Sequence, residues 1–408
     1  MRVASLVTRI AALALVSGFA WAGGPSGIRP DGTPFVWDTA AAIPYRTDNG
    51  PLSASVNEAA ARNRVIAMFN VWQAVGSASI SYTRSGFIND VGAFTDGNVS
   101  TGAEYDAVNG DCGAGNQSPI VYDADAAIFI DLGIDEESVI GFAGPCAIDI
   151  AQLEFVSGEA VMNGLFQDGQ ADPVEDLTAP EFDATFIHEF GHFSGLDHSQ
   201  INVECASGAC GTDNLAGLPT MFPFLVSASQ GSLSIDDIAW ISRLYPAAGG
   251  SGFEATHGTI TGTVFFSDGE SHAQLVNVVA RRVDNLATAA VDESRTTAGS
   301  GVSGYKFRFF SGNPINDAGD DAGTQAPGDI GLYEISLPPG DYMIEVENID
   351  PQFVEGSSVG GPIRIDMPGS APAAIGPISV TAGATSSGND VTLIGTASRF
   401  DQFEGPGP

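Results

Sequence analysis

The run His188-Glu189-Phe190-Gly191-His192-Phe193-Ser194-Gly195-Leu196-Asp197-His198 decides how the chain is read. It has the form H-E-x-x-H-x-x-G-x-x-H. Ala184-Thr185-Phe186-Ile187, just before it, contains neither Pro nor Gly and predicts a helix. Residues four apart on a helix share a face, so His188 and His192 aim two imidazoles at one point. Glu189 lies one step round, near that point but not on it. Gly195 can take the left-handed backbone that ends a helix sharply. The turn then returns His198 as a third ligand. Three neutral imidazoles suit one Zn2+ ion and leave a tetrahedral position open, the arrangement of a catalytic rather than a structural site. A bare HExxH on an exposed helix arises by chance. Here the spacing also fixes Gly195 and His198, and three of the chain's 5 His fall inside the run.

Downstream, Leu218-Pro219-Thr220-Met221-Phe222-Pro223-Phe224 reads as a tight turn with Met221 at its centre. A final helix is expected over 234–244, with Asp236 and Asp237 in its first turn, where they favour the helix dipole. Upstream, residues 57–75 lack Gly and Pro and place Val65, Met68, Phe69 and Trp72 at helical spacing. Strands are expected at 35–37 and 43–46, at 77–82, at Ile120-Val121-Tyr122, at 126–130, and at 139–145, ending at Pro145. Residues 151–155 and 159–165 read as a hairpin about Ser157-Gly158. The whole stretch to Tyr245 is thus α+β, a mixed sheet with an active-site helix.

The chain has 408 residues and a net charge of -35, with 50 Asp plus Glu against 15 Lys plus Arg. That balance argues against nucleic acid and anionic membranes as partners. Arg2 and Arg9 precede an apolar run over 10–20 too short to span a bilayer, and Ala20-Trp21-Ala22 has the form of a cleavage site. Residues 1–22 therefore read as a signal peptide, and the protein as secreted and extracellular, with no membrane-spanning segment. Four Cys in an exported chain suggest two disulfides with three possible connectivities. The preferred pairs are Cys112–Cys146 and Cys205–Cys210.

Residues 23–34 are rich in Gly and Pro and read as a flexible segment. The first domain spans 35–246, and 247–257 is a linker opened by Ala-Ala-Gly-Gly-Ser-Gly. Residues 258–397 alternate as an all-β sandwich, and 398–408 form a tail. Asp317, Asp320, Asp321 and Asp329 could hold Ca2+, although they lack EF-hand spacing and also suit a solvated loop.

The stretch Phe186 to Ser199 resembles the zinc helix of the matrixins, the matrix-metalloproteinase branch of the metzincins. Thr220-Met221-Phe222-Pro223 falls where metzincins carry a Met-turn, and Leu233 to Ile238 with Arg243-Leu244-Tyr245 resembles the last matrixin helix. The resemblance implies a zinc metalloendopeptidase with Glu189 as general base and acid, and with Met221 and Gly195 supporting the site. It also implies a protein or peptide substrate that pairs with a sheet edge, for which 139–145 is the candidate. The chain departs from that family in lacking a Pro-Arg-Cys-Gly switch. It also has no His for a second zinc site other than His257 and His272, both beyond the Gly-rich stretch 247–252. The C-terminal unit resembles carboxypeptidase regulatory-like, transthyretin-like domains through Gly258 to Val264 and Tyr333 to Tyr342. The rival function is a secreted adhesion or binding protein with a catalytically weak domain; an intact Glu189 argues against it, since a structural zinc has no use for that residue. Oligomeric state is not readable from the sequence.

Overall fold

The computed structural model describes residues 24–26, 34–112, 116–149, 152, 154–171, 173–199, 201, 217–273, 276–285, 290–291, 298–303, 331–347 and 375–394. Residues 1–22, Cys205, Cys210, the acidic stretch 317–329 and residues 398–408 lie outside them. The architecture is mixed α/β with several sheets. No helix among the described residues is long and apolar enough to cross a membrane.

The chain divides into two compact units, one of residues 36–75 with 79–195, the other of 1–35, 76–78 and 196–408. The first holds a six-stranded sheet. Its strands are β1 (Val36–Trp37), β2 (Ile43–Thr47), β3 (Tyr82–Phe87), β4 (Pro119–Asp123), β5 (Gly141–Asp149) and β6 (Glu154–Asn163). β1 and β4 run parallel to β6, and β2 runs parallel to β4 and β3. Among the described residues β5 alone in this sheet is antiparallel and pairs only with β6, which makes it an edge. The expected edge strand at 139–145 is therefore present, but it runs on through Pro145 to Asp149. An edge strand tolerates Pro because the lost N–H can face outward.

Four helices accompany this sheet: α1 (Glu58–Gln73), α2 (Gly102–Asn109), α3 (Ala127–Leu132) and α4 (Ala179–Phe193). Asn57 caps α1, its side chain accepting the Ala60 N–H. Trp72 of α1 donates its indole N–H to the Ile187 carbonyl of α4 at 2.7 Å. Phe69 stacks on Phe190 with ring centroids 3.8 Å apart. Arg64 pairs with Asp183 at 2.7 Å. α1 thus holds the helix that carries the histidines.

Three expectations fail here. Residues 126–130 are not a strand, since α3 begins at Ala127. The Asp123 carboxylate accepts the N–H groups of Ile128 and Phe129 and starts the helix. A five-residue apolar run does not by itself distinguish strand from buried helix. The hairpin about Ser157-Gly158 is instead one continuous strand, β6. A Cβ on Gly158 would meet the Phe193 ring at 2.8 Å and the Gly144 carbonyl at 3.0 Å, so glycine serves close packing there, not a turn. The strand expected at 77–82 begins only at Tyr82.

The second unit contains α5 (Ile235–Leu244), the short α6 (Phe253–Thr256) and two sheets. One sheet orders β10 (Ala298–Val302), β8 (Asn277–Asn285), β12 (Gly340–Glu347) and β13 (Ile375–Val380), with β9 (Ala290–Val291) beside β8. The other orders β11 (Leu332–Leu337), β7 (Gly258–Phe265) and β14 (Thr385–Ser386), with β15 (Val391–Thr392) beside β7. Ile260, Val264, Tyr333 and Ile335 meet Val278, Ala280, Tyr342 and Ile344 in one core. β7 alternates buried and half-buried residues throughout, the period of two that marked it in the sequence.

The boundary between compact units falls at Gly195 and Leu196, whereas the sequence placed one at the linker. The reason lies in α5. Arg243 bonds Glu334 and Ser336 of β11, and Asp236 accepts the Ser300 N–H of β10. The linker itself folds as a short 3-10 turn followed by α6, with Phe253 buried.

Candidate metal centre

α4 starts with Thr178, whose backbone and hydroxyl both donate to Glu181, at 2.9 and 2.7 Å. Pro180 in the first turn costs no helical hydrogen bond. Phe182, Phe186, Phe190 and Phe193 are all buried and fix how the helix is rotated. Trp37 donates to the Phe193 carbonyl at 2.9 Å and stacks on its ring. Tyr82 and Ser194 share a 2.6 Å hydrogen bond at the helix end. His188 and His192 are thereby left half-buried on the remaining face.

Gly195 has φ +86, the left-handed turn that its position in the motif predicts. The run then continues through Leu196 and Asp197 to His198. The Asp197 N–H donates to the Gly24 carbonyl at 2.8 Å, and Leu196 forms a bridge with Pro25. The Asp197 carboxylate accepts the His198 N–H at 2.6 Å. It lies 3.9 Å from His198 Nδ1, beyond hydrogen-bond reach, so it orients His198 through the backbone.

The ligand nitrogens of His188, His192 and His198 all lie within 4.8 Å of one another. The Nε2 atoms of His188 and His192 are 3.0 Å apart. Two imidazole nitrogens at zinc-bond length on a tetrahedron are separated by about 3.3 Å. The donor set and its spacing therefore fit a zinc ion, with His188, His192 and His198 as the residues that would hold it.

Glu189 is buried, and among the described residues none makes a hydrogen bond or ion pair with its carboxylate. Burial pushes the carboxyl up to about 8, because charge is costly away from water. A cation at the histidines favours the ionised form again. A Cβ built on Gly141 would come 3.1 Å from Glu189 Cγ and 3.2 Å from Oε1. The first residue of the edge strand β5 thus lies directly against this carboxylate.

Met221 is buried in the turn the sequence anticipated. Its carbonyl accepts the Ser199 N–H at 2.7 Å. Asp237 accepts the N–H groups of Thr220 at 2.9 Å and Met221 at 3.1 Å, fixing the turn from α5. Asp236 accepts the Ser199 hydroxyl at 2.8 Å. Sequence reasoning took both Asp residues for partners of the helix dipole and missed these bonds. Burial raises both carboxyls, that of Asp236 to about 8 with a further push from Asp237.

Cys112 and Cys146 are disulfide-bonded with Cα atoms 5.0 Å apart, as expected. The bond ties the short helical turn Gly110–Cys112 to β5. Beside it Glu159 is buried and accepts the Tyr105 hydroxyl at 2.6 Å. His257 stacks on Phe253, and His272 lies edge-on to Phe265, so neither belongs to the histidine cluster. No model of a known protein family matches the chain, and no curated protein matches its sequence.

Proposed function

We propose that the protein is a secreted zinc metalloendopeptidase of the matrixin-like metzincin kind. The observation that carries this reading is the convergence of three histidine ring nitrogens beside the buried, unshared carboxylate of Glu189. When bound, zinc supplies a Lewis acid for the scissile carbonyl and for water. Glu189 takes a proton from the attacking water and later delivers it to the leaving amine. Its burial keeps bulk water from competing for that proton. Asp197 and Gly195 hold His198 in place, and Met221 forms part of the support of the same turn. β5 offers an edge, unpaired among the described residues, that begins against Glu189, so an extended peptide can pair there as an added strand. The acidic surface and the signal-like N-terminus support export.

The test is cleavage of a proteome-derived peptide library by the purified secreted protein, followed by sequencing of the products. Hydrolysis within chains that a chelator abolishes and added Zn2+ restores is expected. Cleavage that persists under chelation would remove the metal from the mechanism.

A further inference from the structure

The sheet β10-β8-β12 has two faces. Val278, Ala280, Ile344 and Val346 point into the sandwich core. Residues alternate across a strand, so Asn277, Val279 and Arg281 of β8 point the other way. Ser300 of β10 stands opposite Val279 and shares that outer face. The outer face of a free-standing sandwich meets water. Here Asn277, Val279 and Ser300 are 0% exposed and Arg281 is 2% exposed. Two residues that adjoin the zinc motif or its support account for part of this covering. Ile201 packs on Val279. Asp236 of α5 receives the Ser300 N–H at 3.2 Å.

Asp236 divides its two oxygens. Oδ1 takes the Ser300 N–H, and Oδ2 takes the Ser199 hydroxyl at 2.8 Å. Ser199 directly follows His198. Its own N–H is held by Met221, so its backbone and side chain are both anchored. Ser300 is at the sheet edge, with its N–H outside the ladder to β8.

We propose that Asp236 is a positioning residue for the metal centre and links the C-terminal sandwich, through strand β10, to the turn that carries His198. The sandwich is then the rear support of the third zinc ligand rather than an appended module. Anything that shifts β10 is felt at the metal. This inference rests on the zinc reading above.

The experiment uses the full secreted chain loaded with metal. Zinc affinity is measured by chelator competition, and Co2+ replaces zinc to give visible bands that report ligand geometry. Urea unfolding of the metal-free protein gives stability separately. Ser300→Pro removes one N–H at an edge position where Pro is tolerated. Asp236→Leu removes both links, and Ser199→Ala removes one without changing the backbone. Asp236→Asn restores both, since an amide oxygen accepts from Ser300 and the amide N–H donates to the Ser199 hydroxyl. Val391→Ala is the control, a loss confined to the sandwich core.

Ser300→Pro, Ser199→Ala and Asp236→Leu are expected to weaken zinc binding by about tenfold or more and to shift the cobalt bands. Asp236→Asn should recover both signals. Val391→Ala should lower stability and leave both unchanged. The link is overturned if the first three variants lose only stability, as Val391→Ala does. Should Asp236→Leu not fold, Ser300→Pro and Ser199→Ala decide. Wild-type protein that binds neither zinc nor cobalt overturns the site reading itself, an outcome distinct from failure of the link.

Discussion

Gly141 shows how closely the Glu189 carboxylate constrains its neighbours. A methyl group at position 141 comes within 3.2 Å of a Glu189 oxygen, so either the carboxylate or the strand must shift by a few tenths of an ångström. Gly141→Ala is expected to lower peptide turnover by about tenfold while zinc content stays unchanged, because small misplacements of catalytic groups are costly. Unchanged turnover would place Glu189 outside the reaction. Glu159 supports a second prediction, of stability. Burial holds its carboxyl at about 7 in the folded protein, against about 4.3 in an unfolded chain. Folding therefore takes up a proton between these values. The favourable contribution is complete below about pH 4.3 and is lost as pH rises through about 7, a swing on the order of 3 kcal/mol. Glu159→Gln keeps the oxygen that accepts from Tyr105 and cannot ionise. Its unfolding free energy, measured in urea from pH 4.5 to 8, should gain on wild type as pH rises; parallel curves would refute the assignment. At this scale the sequence was most legible in the histidine run, since the spacing of His188, His192, Gly195 and His198 carries its own geometry. Asp236 and Asp237 were not legible, because a carboxylate in a first helical turn reads the same whether it faces water or a buried turn.

Among the elements, α1, α4 and α5 were legible from apolar spacing and breakers, and β7, β11 and β12 from alternation. The misreadings were local. Residues 126–130 are apolar enough for a strand, but Asp123 satisfies the first N–H groups of a helix there. Gly158 resembles a turn residue, but the Phe193 ring needs its missing side chain. Neither cause lies within the segment concerned, so neither was visible without the fold. β5 is the strand proposed to pair with substrate, and the Cys112–Cys146 bond clips it to the turn that follows α2. Replacing both cysteines with Ala removes a cross-link over a sequence separation of 34. The loss from chain entropy is about 2–4 kcal/mol, measurable by urea unfolding. Turnover of peptides should fall further than zinc affinity, since the strand and not the ligands is loosened. Equal loss of both would place the disulfide's effect at the metal.

For the whole molecule, the resemblance at the histidine run suggested a protease-like domain, and the Gly-rich linker a boundary before the sandwich. The structure's two compact units divide instead at Gly195 and Leu196. Arg243, Asp236 and Ile201 join the last helix and the histidine turn to the sandwich sheets within one compact unit. Deleting residues 258–408 leaves the side of α5 that bonds β10 and β11 bare. The truncated protein is expected to be insoluble or to unfold at much lower urea than the full chain; a stable, active fragment ending near Tyr245 would contradict this. Glu189 is proposed to act on a proton beside a zinc held by His188, His192 and His198. One paired measurement tests it most directly: bound zinc and peptide turnover in purified wild type and Glu189→Gln. About one equivalent of zinc is expected in both proteins, with turnover lower by roughly 10²–10⁴-fold in the variant. Zinc-loaded wild type that cleaves nothing across a broad peptide library, or a variant as active as wild type, would contradict it.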